Sequence, residues 1–412
     1  MVSVCMYFQV HQPFRLRQDF DFFSIGSSSA FYEADEAEAT IIKKVASNCY
    51  LPANEILLRL INKYSGRFRV AFSFSGVVLD LFERFAPEVL DSFKKLVATG
   101  CVEVLSETYY HSLSYLYSKS EFLEEVEEHK EKIYKLFGVK PTCFRNTELI
   151  YHDHLAKDIE QMGYKVILAE GATQLLGWRT PNFVYQPKPC YKLGLLLKNY
   201  KLSDDIAFRF SNKSWNDYPL TAEKYASWIH GIAGNGEVIN LFMDYETFGE
   251  HQKADTGILD FLESLPTYIL KRRDFDFATP SEVVDKYQPV SKIKCDKFVS
   301  WADSERDLSA WLGNSMQSSA SEYVYSLEAE VKASGNKNLI YAWKKLLCSD
   351  HFYYMCTKWF NDGDVHKYFN PFTSPYDAYI CYSNVVNHLR ETLTKSISVN
   401  TRNLDKVSET GV

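Results

Sequence analysis

The 412-residue sequence has nine cysteines but no CxxC pair. They are scattered at 5, 49, 101, 143, 190, 295, 348, 356 and 381, an odd set that suggests neither a zinc ribbon nor a disulfide framework. No G-x-G-x-x-G follows any strand-like run, so the usual dinucleotide signature is missing. Nowhere do 18 apolar residues run together, and no membrane span is expected. The opening MVSVCMYFQVHQPF lacks a basic start, a long apolar stretch and a small-residue cleavage site, so no signal peptide is expected either. A reduced, cytoplasmic protein is the resulting expectation. Basic residues are outnumbered, 46 Lys and Arg against 53 Asp and Glu, for a net charge of −7. A nucleic-acid partner normally requires a basic face, and none is expected. Oligomeric state is not legible.

What is plentiful is aromatic side chain, 15% of residues, enough to fill a large core and still furnish platforms for sugar faces. Short apolar runs alternate with amphipathic stretches. Strands are expected at 2–10, 69–76, 101–107, 141–148, 164–171, 207–211 and 238–244, with a last one starting at 275. Helices are expected between them, among them 52–64, 87–98, 119–137, 152–162, 222–232 and 257–272, several closed by glycine. A Ser/Gly loop is expected at 24–29. Strands alternating with helices pair in parallel through crossovers. About seven repeats favour a closed or nearly closed α/β barrel. From about residue 300 only helical patterns remain, and the tail from 397 to 412 is polar, with fraying expected. The expected organisation is a barrel over 1–295, a helical domain over 296–396 and a flexible tail.

Acids gather where strands end. LFMDYETFGEHQ (241–252) breaks an apolar run at Asp244, then adds Glu246, Glu250 and His251. TCFRNTELIYHDH (142–154) places Arg145 and Glu148 at another strand end. His11, Ser75, Glu103 and Glu107 fall near others, and in such barrels the chemistry sits at the C-terminal ends of strands. A buried carboxylate is costly unless paired or used. Two carboxylates converging on one cleft suit glycoside hydrolysis, one attacking the anomeric carbon and one protonating the departing oxygen.

Five segments in order carry a resemblance: HQP (11–13), GCVEVLSETYYH (100–111), FRNTELIY (144–151), MDYETFGEHQ (243–252) and ERDLSAWLGN (305–314). Together they resemble the ordered sequence regions of glycoside hydrolase family 57, closest to its α-amylase-like members. The resemblance implies a (β/α)7 barrel followed by a C-terminal helical domain, and retaining cleavage of α-glucans without metal or other cofactor. It implies Glu148 as nucleophile and Asp244 as general acid/base. It places His11, Glu103 and Glu246 in substrate binding, with Asp307 and Trp311 completing the cleft from the helical domain. Arg145 and His251 stand where the glucanotransferase branch carries tryptophan, which alters stacking there; both are counted with the substrate-binding set.

Other readings remain open from sequence. A 4-α-glucanotransferase would share the same machinery. A zinc-dependent deacetylase or mannosidase could draw ligands from His11, His152, His154 and Asp244, although residues two apart on a helix point in different directions. A non-catalytic glucan-binding protein would keep the cleft without turnover. The expected partner in every case is an oligo- or polysaccharide.

Overall fold

The computed structural model describes residues 1–18, 20, 32–358 and 370–409, with side chains as far as 396. The expected loop at 24–29 lies outside the described residues.

Seven parallel strands close into a barrel: β1 (Val2–Val10), β2 (Val70–Phe74), β3 (Val102–Val104), β4 (Cys143–Arg145), β5 (Val166–Glu170), β6 (Gly194–Lys198) and β7 (Val238–Asp244). β1 pairs with β2 on one side and along Ser3–Gln9 with β7 on the other. β2 pairs with β3, β4 with β5, and β5 with β6. Two joints lack a full ladder. Between β3 and β4, Ser106 N–H donates to the Cys143 carbonyl at 3.0 Å and Arg145 N–H to Ser106 at 2.9 Å. Between β6 and β7, Asn199 N–H donates to Asn240 O at 2.8 Å, while the Asn240 amide donates to Leu197 O at 2.9 Å.

The side-chain alternation of β1 decides what fills the barrel and what packs outside. Cys5 and Tyr7 point inward to meet Ala71, Cys143, Val166, Leu168, Leu196 and Phe242. Val4, Met6, Phe8 and Val10 point outward into a separate core shared with the surrounding helices. The thiols of Cys5 and Cys143 pack as small apolar groups, and all nine cysteines are free and buried.

An eighth strand, β8 (Phe275–Phe277), pairs with the first three residues of β1, and the helix Pro280–Lys286 follows it across the barrel floor. There Ser281 Oγ meets Thr142 Oγ1 at 2.8 Å, and Val284 packs so close to Gly194 that an added Cβ would lie 2.5 Å from it.

One expected strand is absent. Residues 200–207 form a helix and the chain turns just after it, so the alternation at 207–211 is not a strand. The strand in that part of the barrel is instead the continuous apolar GLLLK of β6.

Beyond the barrel lie the helices Ser309–Leu312, Ser315–Ser326, Glu328–Ala333, Lys337–Lys345, Ser349–Tyr353 and Pro375–Glu409. Their core includes Trp311, Val324, Trp343, Phe352, Tyr382 and Val385, and takes in Leu113 and Ile150 from barrel loops. The final helix runs on to Glu409, through most of the stretch expected as a tail. Two short bridges tie this helical part to barrel loops, Ser112 to Cys348 and Tyr151 to Val299. Among the described residues, no helix is long and apolar enough to cross a membrane.

Candidate active site

The C-terminal ends of β1, β6 and β7 and the loop after β4 open into a cavity of about 160 Å³. Its lining includes His11, His111, Glu148, Lys198, Asp244, Glu246, His251, Trp301, Trp311 and Asp350. Barrel and helical domain therefore both contribute walls.

Glu148 sits in a short turn directly after β4, with φ of 58° there and 51° at Leu149. Two successive non-glycine residues in the left-handed region form a local strain of the kind that collects at functional sites. The turn aims the carboxylate at two donors. His111 Nε2 lies 2.9 Å from Oε1, and Trp301 Nε1 donates to Oε2 at 2.6 Å. Burial pushes Glu148 up, but the bond and charge of His111, then Arg145 and Trp301, outweigh it and hold the carboxyl below its ordinary range.

His111 is itself held between acids. Burial works against its charge, yet its interactions with Glu107 and Glu148 push it up to about 9, so it is cationic at neutral pH. Glu107 drops to about 2: burial opposes its charge, but His111 and Arg145 overcome that. Arg145 Nη1 donates to Glu107 at 3.2 Å from a fully buried position. Ser73 and Gln9 donate to the same carboxylate, and Tyr7 bonds to both of them, so a polar column rises through the upper barrel to support the site.

Asp244 ends β7. Burial and the neighbouring negative charge of Glu148 raise it to about 6, with Arg145, Lys198 and His111 pulling the other way. Glu246 follows, pushed up to about 8 by burial and by Asp244, with Tyr50 Oη donating to it. His251 also lines the cavity, and burial lowers it to about 4, which keeps it neutral.

The expected residues divide into two groups. His11, Glu148, Asp244, Glu246, His251 and Trp311 line the cavity together. Arg145 stands behind the wall, its guanidinium 5.1 Å from the Trp301 ring centre, so it acts on the site through charge. Glu103 is not brought to the cleft: near the barrel floor it accepts from Ser281 N at 2.9 Å and from Ser281 Oγ. Asp307 lies just before the short helix carrying Trp311, accepts from Ser309 N at 2.8 Å, and does not line the cavity. Glu250 binds Lys44, Asn48 and Lys253, away from His11. The four ligands considered for zinc are not assembled, since His152 packs against Phe298 with ring centres 4.8 Å apart and neither it nor His154 lines the cavity.

Contributors outside the expected site residues are His111, described above, and four more. Trp301 comes from the segment entering the helical domain and lies between Arg145 and Lys198, whose Nζ is 5.4 Å from the ring centre. Arg306 donates to the Trp301 carbonyl at 2.8 Å and pairs with buried Glu170 and Asp204 at 3.2 Å each, fixing that segment to the barrel. Lys198 also pairs with Asp204, at 3.1 Å, at the end of the unexpected strand. Asp350 lies 2.9 Å from His11 Nε2, across 339 positions of sequence.

A closed parallel barrel with two carboxylates on one cleft, Glu148 held low and Asp244 raised to about 6, is an arrangement that suits glycoside hydrolysis. The chain belongs to glycosyl hydrolase family 57, whose description matches residues 5–296. A protein of Methanocaldococcus jannaschii described as a "putative alpha-amylase" is 42% identical over 407 residues, covering 94% of this chain and 85% of that protein. Among solved structures, a family 57 branching enzyme from Thermococcus kodakaraensis superposes with a TM-score of 0.66 at 14% identity, over 99% of this chain and 94% of that one. The 4-alpha-glucanotransferase of Thermococcus litoralis gives 0.64 at 16% identity, over 96% of this chain, which spans 59% of that enzyme. At such low identity these two likenesses concern the fold, a (β/α)7 barrel with a helical C-terminal domain.

Proposed function

We propose that the protein is a retaining α-glucan hydrolase of the α-amylase type, acting on glycogen or maltodextrins, with Glu148 as nucleophile and Asp244 as general acid/base. The observation that carries the assignment is the separation of protonation between two carboxylates of one cavity, Glu148 held low and Asp244 raised to about 6. The resemblance to α-amylases supplies the substrate class.

In the first step Asp244 gives its proton to the glycosidic oxygen while a Glu148 oxygen bonds to the anomeric carbon and the leaving sugar departs as an alcohol. In the second, water attacks that carbon, its proton returns to Asp244, and Glu148 leaves as carboxylate. His111 and Trp301 keep the nucleophile ionised and aimed. Glu246, carrying a proton at neutral pH, can donate a hydrogen bond to a sugar hydroxyl.

The test is incubation of purified, chelator-treated protein with maltoheptaose, with products separated by chromatography and their anomeric form followed by NMR. Shorter maltodextrins appearing first as the α-anomer support the proposal. Products longer than the substrate move the reading to a 4-α-glucanotransferase. The β-anomer appearing first would exclude a retaining mechanism.

A further inference from the structure

We propose that His11, Cys348 and Asp350 form a binding site for a borderline-soft divalent cation, Zn2+ or Co2+, and that its occupation blocks the sugar cleft. Their ligand atoms, one imidazole nitrogen, one sulfur and one carboxylate oxygen, all lie within 4.8 Å of one another. Asp350 Oδ2 is 2.9 Å from His11 Nε2 and 3.2 Å from Cys348 Sγ. Zinc at ~2.0–2.1 Å from nitrogen and oxygen and ~2.3 Å from sulfur requires tetrahedral edges of roughly 3.3–3.7 Å. The two separations from Asp350 have to open by a few tenths of an ångström, and His11 and Cys348, whose ligand atoms lie within 4.8 Å, have to come to a similar edge.

The donor set selects the metal. Magnesium and calcium take all-oxygen shells, whereas one nitrogen, one sulfur and one oxygen suit zinc and cobalt. Three protein ligands with a fourth position open match the pattern of accessible zinc sites rather than closed structural ones. Here the open side faces the cleft, because His11 and Asp350 both line it. Cys348 is 1% exposed and lies behind them, out of the cavity lining.

The ligands are already oriented. His11 Nδ1 lies 2.6 Å from Ser75 Oγ, and that hydroxyl is fixed in turn by accepting from Val78 N at 3.2 Å. Such a partner on the far ring nitrogen holds a metal-binding imidazole in place. The Cys348 backbone is pinned to the barrel by its bridge to Ser112 and by Ser349 N–H donating to His111 O at 2.9 Å. The ion would join barrel and helical domain across the cleft.

Coordination displaces protons. Cys348 loses its Sγ proton to solvent, and the neutral His11 ring keeps its single proton on Nδ1, directed at Ser75. Thiolate and carboxylate then supply two negative charges to the divalent ion. His111 stacks on His11 with ring centres 3.9 Å apart. With three protein ligands and a fourth position open to the cleft, binding is expected to be reversible, unlike that of a closed structural zinc.

The experiment uses the full chain and Co2+ or Zn2+ alone. Wild-type protein should bind one equivalent of Co2+ with a thiolate-to-cobalt charge-transfer band. X-ray absorption at the zinc edge of the wild-type protein should show one sulfur at about 2.3 Å with nitrogen and oxygen ligands. Cys348→Ser and Cys348→Ala, checked for folding by circular dichroism, should lose the band. A zinc shell without sulfur, or a band surviving in the folded variants, would overturn the site.

The inhibitory consequence rests on the α-glucan reading. Zinc should compete with maltoheptaose in the wild type, and at least tenfold more should be needed in Cys348→Ser, each compared with its own metal-free rate. Equal sensitivity would overturn the block of the cleft. If the protein proves inactive on maltoheptaose, the absorption measurement still decides the metal site, so the two failures are distinguishable.

Discussion

The indole of Trp301 donates to the Glu148 carboxylate at 2.6 Å, joining the first residue of the helical-domain segment in the cleft to the proposed nucleophile just past the end of β4. The backbones meet as well, Trp301 N–H donating to Glu148 O at 3.2 Å. The helical part thus helps to hold the Glu148 carboxyl low as well as walling the cavity. Trp301→Phe keeps the ring and removes the donor. A bond to a charged group contributes about 1.5–3 kcal/mol, so kcat/KM is expected to fall roughly ten- to a hundredfold. Loss of a bond to the ionised form raises the pKa of Glu148, so the acidic limb of the pH–rate profile should move to higher pH. An unmoved limb would mean that the indole does not hold that charge.

His111→Gln tests the other donor. The wild-type imidazolium, pushed up to about 9, gives Glu148 a hydrogen bond and a positive charge, whereas glutamine can supply only the bond. The acidic limb should again move up, and further than in Trp301→Phe, because the charge of His111, which glutamine lacks, by itself ranks ahead of Trp301 in holding Glu148 low. Glu107 should lose the nearby charge of His111 too, which can be read by NMR titration of labelled glutamate carboxyls.

The alkaline limb belongs to Asp244. As the acid it must carry its proton, which it loses as pH rises through about 6, so kcat/KM should decline above that pH. Glu148 must be ionised, which it is above its lowered pKa, so the profile is a bell with its maximum on the acid side of neutrality. Asp244→Asn should lose roughly 10²–10⁴ in turnover on maltodextrin and recover part of it on a substrate whose leaving group needs no proton. Glu148→Gln should not be rescued in that way. A profile flat to pH 8 would remove Asp244 from the role of acid.

The two carboxylates of the proposed catalytic pair were legible as candidates because each falls at or just past the end of a recognisable strand. VINLFMD becomes β7 over the expected residues, and its acid falls on the cavity. Asp350 gave no such signal: it lies within a stretch of helical pattern, and no local rule places it against His11. Trp301 lies in a stretch of helical pattern, and its indole acquires a polar purpose only where it meets Glu148 just past the end of β4. β6 was missed because a short apolar run, GLLL, fits either a strand or a buried helix turn, while AFRFS nearby alternated more convincingly. Strand length also misled the placement of Glu103. β3 runs only from Val102 to Val104, and Glu103 and Glu107 lie four residues apart, roughly 13 Å along an extended chain. One acid belongs to the floor and the other to the rim.

That last distinction can be tested directly. Glu103 accepts two hydrogen bonds from Ser281 at the start of the floor helix, so Glu103→Ala leaves those donors without their partner. Leaving buried donors unsatisfied costs about 1–3 kcal/mol, so the denaturation midpoint should fall by a corresponding amount. The cleft is built at the other end of the strands, and kcat/KM for maltodextrin should stay within about twofold of wild type, since an unmade contact cannot weaken transition-state binding. Paired urea-denaturation and kinetic measurements on the same preparation check both halves. A raised KM with unchanged stability would place Glu103 in substrate binding after all, and Ser281 would then be an incidental neighbour.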